Sequence, residues 1–248
     1  MRVDKEDQEA RRLLGGSPVA LVSVRWRNEV NIMPVAWSMP ASVAPPLVAL
    51  AIHPARYTHD MVKHSDEFAL NIPGPRLLDH VHYFGVVSGT EINKLEASKL
   101  PTFLARQVNA PLLEHCVGWI ECGVEDAIPF GDHTLFIGRV LAVQVDDEAF
   151  DETWKLTDED LRPLHYLGGA NYSTLGELLV AKVRTTTEGA LDNPLPVEDL
   201  SPEDIERREE ELFKRREAQV EADEKRAEGV APEAGGGETD GEEPAPND

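Results

Sequence analysis

Residues 53–58, His-Pro-Ala-Arg-Tyr-Thr, join a strand pattern to a helix pattern. The apolar run 47–52 before them predicts a buried strand, and residues 59–64 after them predict a short helix. A strand that turns directly into a helix brings together free backbone N–H groups, the positive end of the helix dipole, the Arg56 guanidinium and the Thr58 hydroxyl. This combination predicts a pocket for a phosphate group. The alternative is a surface loop in which Arg56 pairs with an acid and Thr58 only caps the helix.

Outward from this junction, the sequence predicts a mainly β fold with inserted helices. Strand-forming runs separated by turn signals give six or seven strands, at 19–24, 30–37, 47–52, 67–72, 119–124 and 134–145. Short helices are predicted near 9–14, 76–84 and 91–99. Prolines at 40, 45 and 46 predict a loop, because proline cannot donate to a central ladder. Since there is no regular βαβ alternation, the pattern favours an antiparallel barrel over a doubly wound parallel sheet.

Charge divides the chain into a body and a tail. The formal net charge is −22, and residues 188–248 hold 21 acidic against 7 basic side chains. We expect one domain at 1–187, followed by an acidic tail with a charged helix at about 202–228 and a disordered C-terminus. So acidic a chain disfavours nucleic acid and anionic membranes as partners. The charged N-terminus and the lack of a long apolar run predict a soluble cytoplasmic protein.

The sequence lacks the motifs of several common metal, nucleotide-binding and catalytic sites. Cys116 and Cys122 are the only cysteines, and their spacing on one predicted strand indicates reduced core thiols. Histidines at 80 and 82, and at 59 and 64, are spaced wrongly for two ligands on one helix face, so no metal site is predicted. The glycine-rich dinucleotide fingerprint, the P-loop, the GxSxG elbow and the HExxH helix are also absent. Any nucleotide must therefore be held in another way.

The segment 31–42, NIMPVAWSMPAS, is a second candidate for ligand contact. It predicts a strand that ends at Trp37, Ser38 and Met39 and continues as a loop containing Ser42. Backbone N–H groups, two hydroxyls and flat apolar surface suit a planar heteroaromatic ring with polar edges. The alternative is a hydrophobic strand whose Trp37 is simply part of the core.

The segment 131–134, Gly-Asp-His-Thr, is a third candidate. The glycine allows a tight turn in which Asp132 can fix the ring of His133. His133 is then a hydrogen-bond donor or a proton shuttle at the mouth of a strand. The alternative is a turn in which Asp132 bonds its own backbone.

Two more segments could contribute to a site. Ser88-Gly89-Thr90, followed by Lys94, offers backbone donors and a cation to an anionic group, or it is a solvated helix start. The segment 166–172 places Tyr166 and Tyr172 around a flexible glycine pair. It can cover a ligand or simply turn a corner.

Taken together and in order, these segments resemble the flavin reductase-like, FMN-binding split-barrel family, most closely its flavoredoxin-like branch. The match is carried by NIMPVAWSMPASVAPPLVALAI (31–52), HPARYTHDMV (53–62), EFALNIP (67–73), SGTEINK (88–94), APLLEHCVGWIECGV (110–124), GDHTLFIGRV (131–140) and LGGANY (167–172). The resemblance implies a six-stranded antiparallel split barrel. It also implies a homodimer with FMN bound near the subunit interface.

The resemblance also assigns roles to residues. It implies that the segment holding Trp37, Ser38, Met39 and Ser42 lines the flavin, with Tyr172 also near the cofactor. The resemblance further implies that the phosphate is bound by a group of residues that includes Arg56, Tyr57, Thr58, Ser88, Gly89 and Lys94. Asp132 and His133 lie beside the isoalloxazine, where a nicotinamide could stack. The sequence departs from the family at His53, where a small polar residue is common, and at Asn93, where Asp is common.

Three functions follow from this reasoning. The first is an FMN-dependent oxidoreductase that takes hydride from NAD(P)H and passes electrons to free flavin or another small acceptor. The second is a flavoredoxin-like electron carrier that keeps FMN, exchanges electrons with a protein partner and does not use NAD(P)H. The third is a non-catalytic interaction protein that works through its acidic helix. No ribose-reading residue distinguishes NADH from NADPH.

Overall fold

The computed structural model describes residues 3–180, together with 207, 210, 213 and 214. The described part is mainly β, as the sequence predicts. The strands are β1 (Ala20–Trp26), β2 (Glu29–Val35), β3 (Ser38–Ser42), β4 (Leu47–Ile52), β5 (Glu67–Pro73), β6 (Thr102–Phe103), β7 (Leu112–Leu113), β8 (Cys116–Phe130), β9 (His133–Val145), β10 (Leu164–Gly168) and β11 (Asn171–Thr174). The α-helices are α1 (Ala10–Leu13), α2 (Tyr57–Ser65), α3 (Leu78–Val86) and α4 (Lys94–Ser98).

One large antiparallel sheet dominates the described residues. Its seven strands have the order β2-β1-β5-β8-β9-β4-β3, and the pairs β6-β7 and β10-β11 form two small separate sheets. The sheet curves so that β2 comes into contact with β4, which gives the split-barrel fold. The main sheet thus has one strand more than the six that the resemblance implies. The additional strand is accounted for by the segment around Pro40.

The predicted loop at Pro40 is instead the edge strand β3. Ser38, Met39 and Pro40 pair with Leu50, Ala49 and Val48 of β4, and a bulge follows before Ser42. Proline is compatible with a strand at the edge of a sheet, because the missing N–H is not needed by a second neighbour. The loop predicted at 41–44 is thus wrong for Ala41 and Ser42, because a sequence does not reveal which strands lie at an edge, and it is confirmed for Val43 and Ala44, which lie in the turn at 43–46.

The two faces of β1 build two hydrophobic clusters. Alternate residues point to opposite faces of a strand, so Val22 and Val24 pack with Met61 and Val62 of α2 and with Phe136 of β9. On the other face, Leu21 packs with a second group that includes Ile32, Val81 and Phe84. Helices α2 and α3 therefore cover opposite sides of the same strand.

Two buried features of β8 stabilise the barrel wall. Cys116 and Cys122 are both buried free thiols, as predicted, and burial raises the pKa of Cys122 to about 12. The fully buried Glu121 carboxylate accepts hydrogen bonds from the N–H groups of Arg106 and Gln107, at 3.0 and 2.6 Å, among other donors. Since a buried charge needs such donors, Glu121 fixes the loop before β7 against β8.

The chain divides into two compact units, Met1–Leu179 and Val180–Asp248. The expected boundary at 187–188 and the predicted disordered C-terminus lie outside the described residues. Of the predicted charged helix, the structure describes only residues 207, 210, 213 and 214, which are helical and exposed. Across the described residues, no helix combines the length and the apolar character needed to span a bilayer.

Candidate functional site

A cavity of about 210 Å³ lies where β4 turns into α2. We call it the phosphate cavity. It is lined by Asn31, Met33, Pro34, Ala55, Arg56, Tyr57, Thr58, Phe84, Gly85, Val86, Val87, Ser88, Gly89 and Lys94. The structure therefore brings together two segments that the sequence singled out separately, 56–58 and 88–94.

Arg56 supplies an uncommitted cation to this cavity. Its backbone is extended and it directly precedes α2. Its carbonyl oxygen accepts the N–H of His59 at 2.8 Å, so within the described residues the N–H groups of Tyr57 and Thr58 are the ones at this end of α2 without a backbone acceptor. The guanidinium of Arg56 has no hydrogen bond or ion pair within the described part of the chain. Thr58 does not cap the helix, because its Oγ1 accepts a hydrogen bond from Asn31 Nδ2 at 2.7 Å. Neither feature of the alternative interpretation, an acid-paired arginine or a capping threonine, is present.

Lys94 supplies a second cation from beneath the cavity. Its side chain is buried, and Nζ donates to the carbonyl oxygens of Phe84 and Ile32 at 2.7 and 3.0 Å. An ammonium group has three protons, so one donor stays available. Burial and, to a lesser extent, the positive charge of Arg56 together lower the pKa of Lys94 to about 8. Lys94 thus holds β2 and α3 together and is charged near neutral pH.

The turn at Gly89 forms another part of the cavity wall. A Cβ at position 89 would collide with Asn31 Oδ1 and come within 3.0 Å of the Tyr57 ring, so only glycine fits there without a shift. The Tyr57 hydroxyl donates to the Glu29 carboxylate, and this hydrogen bond raises the pKa of Tyr57. Ser88 Oγ and Thr90 Oγ1 are 2.7 Å apart, which orders the turn.

The phosphate cavity is the first of a series of adjoining cavities along β2. The next one, of about 220 Å³, shares Pro34, Gly85 and Val86 with it. Tyr166 and Tyr172 form its opposite wall. Ala36 connects this second cavity to two further ones, of about 250 and 390 Å³, that lie against Trp37. Cavities that share lining residues thus extend from the phosphate cavity to Trp37, and we call the whole series the groove.

The predicted glycine pair turns the hairpin β10-β11 and directs its tyrosines into this groove. Gly168 and Gly169 have φ values of +114° and +61°, which favour glycine. Tyr172 lies across the hairpin with its ring centroid 5.4 Å from that of Tyr166. Its hydroxyl is 3.4 Å from His82 Nδ1, and burial raises the pKa of Tyr172.

A cluster of rings lies at the start of β9. The ring centroid of His133 is 4.8 Å from that of Trp37 and 5.2 Å from that of His53. Asp132 Oδ1 lies 2.7 Å from His133 Nδ1, and this hydrogen bond lowers the pKa of Asp132. The carboxylate therefore orients the imidazole, as the sequence predicts. His53 also accepts the N–H of Ala55 at Nδ1, at 3.0 Å, so it shapes the turn into α2.

The candidate residues fall into three groups along the groove, and Ser42 lies outside all three. Arg56, Tyr57, Thr58, Ser88, Gly89 and Lys94 line the phosphate cavity, and Tyr172 lines the next one. Trp37, Ser38 and Met39 line the cavity of about 390 Å³ at the other end, with His133 and Asp132 beside Trp37. Ser42 lies past the β-bulge at the far end of β3 and lines none of these four cavities.

Of the residues that the structure places in or beside the groove, sequence reasoning missed Gly85, and it included Asn31, Ala36 and His53 only as members of the segments 31–42 and 53–58 without a role of their own. Asn31 orients Thr58, Gly85 and Ala36 connect the cavities, and His53 supports the ring of His133. A polar residue within the apolar strand β2 was the only available signal for Asn31, whose side chain is buried. The glycine and alanine gave no signal, because they contribute space rather than chemistry.

Comparison with known proteins places this geometry in a family. The model of the flavin reductase-like domain matches residues 14–174. Among curated proteins, the uncharacterized protein YddH of Escherichia coli is 31% identical over 182 residues, which are 71% of this chain and 96% of YddH. The matched residues 14–174 include all the lining residues of the groove except Arg11 and Arg12.

Solved structures of FMN-binding protein and flavoredoxin are also similar to this chain. An FMN-binding protein from Thermus thermophilus, solved with bound 1-cyclohex-2-enone, is 29% identical with a TM-score of 0.65, over 73% of this chain and 100% of that one. Flavoredoxin of Desulfovibrio vulgaris is 26% identical with a TM-score of 0.60, over 66% of this chain and 90% of that one. With the split barrel, the phosphate cavity and the ordered motifs on one continuous segment, the chain belongs to the flavin reductase-like domain family.

Proposed function

We propose that this protein binds FMN and acts as an NAD(P)H-dependent oxidoreductase that passes electrons to free flavin or to another small acceptor. The observation that carries the proposal is the phosphate cavity at one end of a groove that leads to Trp37. Two cations and the N-terminus of α2 meet in that cavity. This is the chemistry that a terminal phosphate requires.

The residues fit the cofactor by charge and by shape. A phosphomonoester carries between one and a half and two negative charges at neutral pH, as an order of magnitude. Arg56, Lys94 and the first N–H groups of α2 would balance that charge, with Thr58, Ser88 and Gly89 completing the wall. A flavin bound there supplies the hydride and electron transfer itself. The chain has to hold the phosphate, orient the ring and leave room for a nicotinamide.

At the other end of the groove, Trp37, Ser38 and Met39 are proposed to line the flavin ring, and Tyr172 to cover the connecting chain. His133, held by Asp132, would act at the edge of the ring as a donor or a proton shuttle. Ser42 is left out of the proposed site because of its position on β3. Hydride transfer between stacked rings needs space and alignment more than an acid–base pair, which agrees with the absence of a buried catalytic dyad in this groove.

The proposal is tested on the purified full-length protein. We expect a yellow protein, or one that turns yellow with added FMN, and oxidation of NADH or NADPH followed at the nicotinamide absorbance band. A colourless protein with no affinity for FMN would refute the cofactor. Bound flavin without oxidation of either nicotinamide would refute the reductase.

A second candidate is an electron carrier that keeps FMN and does not use NAD(P)H. The structural similarity to flavoredoxin of Desulfovibrio vulgaris favours it. The two functions differ in the source of electrons. Reduction of the bound flavin by a reduced protein donor, with no response to NADH or NADPH, would select the carrier.

We also propose that the flavin-binding domain is complete within residues 1–187 and acts as a homodimer. Among the residues that the structure describes, those that line the groove all lie upstream of position 187. Removal of residues 190–248 is therefore expected to leave the Kd for FMN unchanged. Leu141, Val143 and Val145 expose 45%, 56% and 43% of their surface on one face of β9, which supports a second copy as the partner of that face.

A further inference from the structure

A cavity of about 650 Å³ adjoins the phosphate cavity, and we call it the outer cavity. The two cavities share Tyr57 and Gly89 as lining residues. The outer cavity shares no lining residue with the other three cavities of the groove, as far as the structure describes them. A ligand that fills the phosphate cavity from the groove and continues past Tyr57 and Gly89 would therefore enter the outer cavity.

The sign of the charge changes between these two cavities. Among its described lining residues, the phosphate cavity has the cations Arg56 and Lys94 and no carboxylate. The outer cavity is lined by one cation, Arg25, whose Nε donates to a backbone carbonyl oxygen at 3.1 Å, and by three carboxylates. These are Glu29, Glu91 and Glu96. Because like charges repel over several ångströms, one phosphate is attracted to the phosphate cavity and a second one in the outer cavity is repelled.

Glu29 is the carboxylate that is fixed at the boundary of the two cavities. Its backbone belongs to the paired hairpin of β1 and β2, and its side chain accepts a hydrogen bond from the Tyr57 hydroxyl. The Tyr57 ring lines both cavities and lies against the turn at Gly89. Within the described residues, no side-chain hydrogen bond or ion pair fixes Glu91 or Glu96 in this way. Glu29 therefore holds negative charge beside the wall that the cavities share.

The two common flavin cofactors differ at this point of the ligand. FMN ends in a phosphate monoester, which places a charge of about −1.5 to −2 on a single phosphate group. FAD instead continues through a second phosphate to an adenosine. A protein can discriminate between two such ligands by a repulsive group that only one of them meets.

We propose that Glu29 is a specificity-determining residue that makes this site select a flavin monophosphate over a flavin dinucleotide. Its carboxylate, held by Tyr57, repels the second phosphate of FAD and acts less on the phosphate of FMN, which lies with Arg56 and Lys94. The inference rests on the proposed function, since the ligand is taken to be a flavin. It adds the reason why the monophosphate is the form that binds.

The test is a calorimetric titration of the full-length protein with FMN and with FAD. Glu29→Gln removes the charge and keeps an acceptor oxygen for the Tyr57 hydroxyl. We expect the wild type to bind FMN about tenfold more tightly than FAD. Glu29→Gln should lower the Kd for FAD about three- to tenfold and change the Kd for FMN by less than about twofold. Since Glu29 is exposed, added salt should reduce the discrimination in the wild type.

Glu152→Gln is the matched control, because it removes the same charge from an exposed residue that lines neither cavity. It should leave both Kd values near those of the wild type. Equal Kd values of FMN and FAD for the wild type, or equal effects of the two substitutions, would overturn the role of Glu29.

Ribose 5-phosphate and ADP-ribose repeat the comparison without the flavin ring. If FMN does not bind but Glu29→Gln still strengthens the binding of ADP-ribose relative to ribose 5-phosphate, the proposed function falls and the role of Glu29 stands. If FMN binds and Glu29→Gln leaves the ratio of the Kd values for FMN and FAD unchanged, the role of Glu29 falls and the proposed function stands.

Discussion

The imidazole of His133 lies against the indole of Trp37, with ring centroids 4.8 Å apart and ring planes inclined by 39°. Half of the Trp37 surface is exposed, so the indole is packed on one side and open on the other. Asp132 holds the imidazole through Nδ1, and the edge of His53 supports it from behind. His133 therefore sets the angle of the exposed indole at the end of the groove.

Replacement of His133 by alanine should damage turnover more than cofactor binding. Within the described residues, His133 has its hydrogen bond and ring contacts with Asp132, Trp37 and His53, none of which lines the phosphate cavity, so the Kd for FMN should change by less than about threefold. We expect kcat/KM for the nicotinamide to fall about tenfold or more, because the indole loses its support and a donor is removed. Steady-state kinetics and flavin titration measure the two quantities.

The matched control is His64→Ala. The His64 ring lies at the same distance, 4.8 Å, from the indole of Trp26, and it lines none of the four cavities. This substitution should leave both quantities near the wild-type values. Equal losses from the two substitutions would indicate a general effect on the fold rather than a role for His133.

Arg56→Ala should weaken FMN binding without unfolding the protein. The guanidinium is exposed and contributes no internal ion pair, so its loss leaves no buried group unsatisfied. A hydrogen bond to a charged group is worth about 1.5–3 kcal/mol, which corresponds to about a tenfold to hundredfold increase in Kd. Arg76→Ala, which breaks only an exposed ion pair with Asp160, is the control. An unchanged Kd for Arg56→Ala would mean that the phosphate binds elsewhere.

Gly89→Ala should disturb the wall of the phosphate cavity and weaken FMN binding. The new methyl group would meet Asn31 Oδ1 and the ring of Tyr57, and both residues line the cavity. We expect an increase in the Kd for FMN of about tenfold, with a small loss of thermal stability. At Gly176 an added Cβ meets nothing within 4 Å, so Gly176→Ala should be neutral. Titration of both variants with FMN compares them directly.

The local part of the site could be predicted from the sequence. The junction at 53–58 depends on a strand that runs directly into a helix, and Asp132 and His133 are adjacent in the chain. In such segments the partners are only a few residues apart, so residue type and order are enough. The order of the segments, rather than any one of them, pointed to the family.

The remaining part of the site depends on contacts between distant residues. Asn31 and Thr58 are 27 positions apart, and Lys94 and Ile32 are 62 positions apart, yet each pair is hydrogen-bonded. No local pattern encodes these pairings, because they arise from the curvature of the sheet and the docking of α3 and α4. The edge position of β3 could not be predicted for the same reason, because it depends on which distant strands pair. Proline is compatible with an edge strand but not with a central one, so Pro40 alone does not decide between a strand and a loop.

Val143→Asp should dissociate the proposed homodimer. Val143 exposes 56% of its surface on the apolar face of β9, and an interfacial carboxylate without a partner would be costly to bury. We expect a monomer by light scattering coupled to size exclusion. Arg139→Gln on the same strand is the control, since its guanidinium is already paired with Glu125. A wild-type protein that is monomeric at all concentrations would exclude the dimer.

The buried ammonium of Lys94 should make FMN binding pH-dependent. Its pKa is lowered from the usual 10.5 to about 8 by burial and by Arg56, so above that pH the free protein holds it neutral. A bound phosphate favours the ammonium form, so binding above about pH 8 takes up a proton and the Kd for FMN rises with pH. Above pH 8 the slope should approach tenfold per pH unit, up to the pKa that Lys94 has in the complex with FMN. In Lys94→Met the affinity should be lower at neutral pH, and this alkaline dependence should be lost.

Lys94 should also make the stability of the FMN-free protein depend on pH. Stability should rise with pH, whereas the affinity for FMN should fall. Between pH 8 and 10.5 the unfolded chain keeps a proton on Lys94 that the folded chain has released. Where the unfolded state binds more protons, the free energy of unfolding increases with pH. The contribution of Lys94, obtained as the difference between wild type and Lys94→Met in denaturant titrations, should therefore increase over this range while the affinity for FMN decreases. If both quantities changed in the same direction, Lys94 would not be the group that titrates in the phosphate cavity.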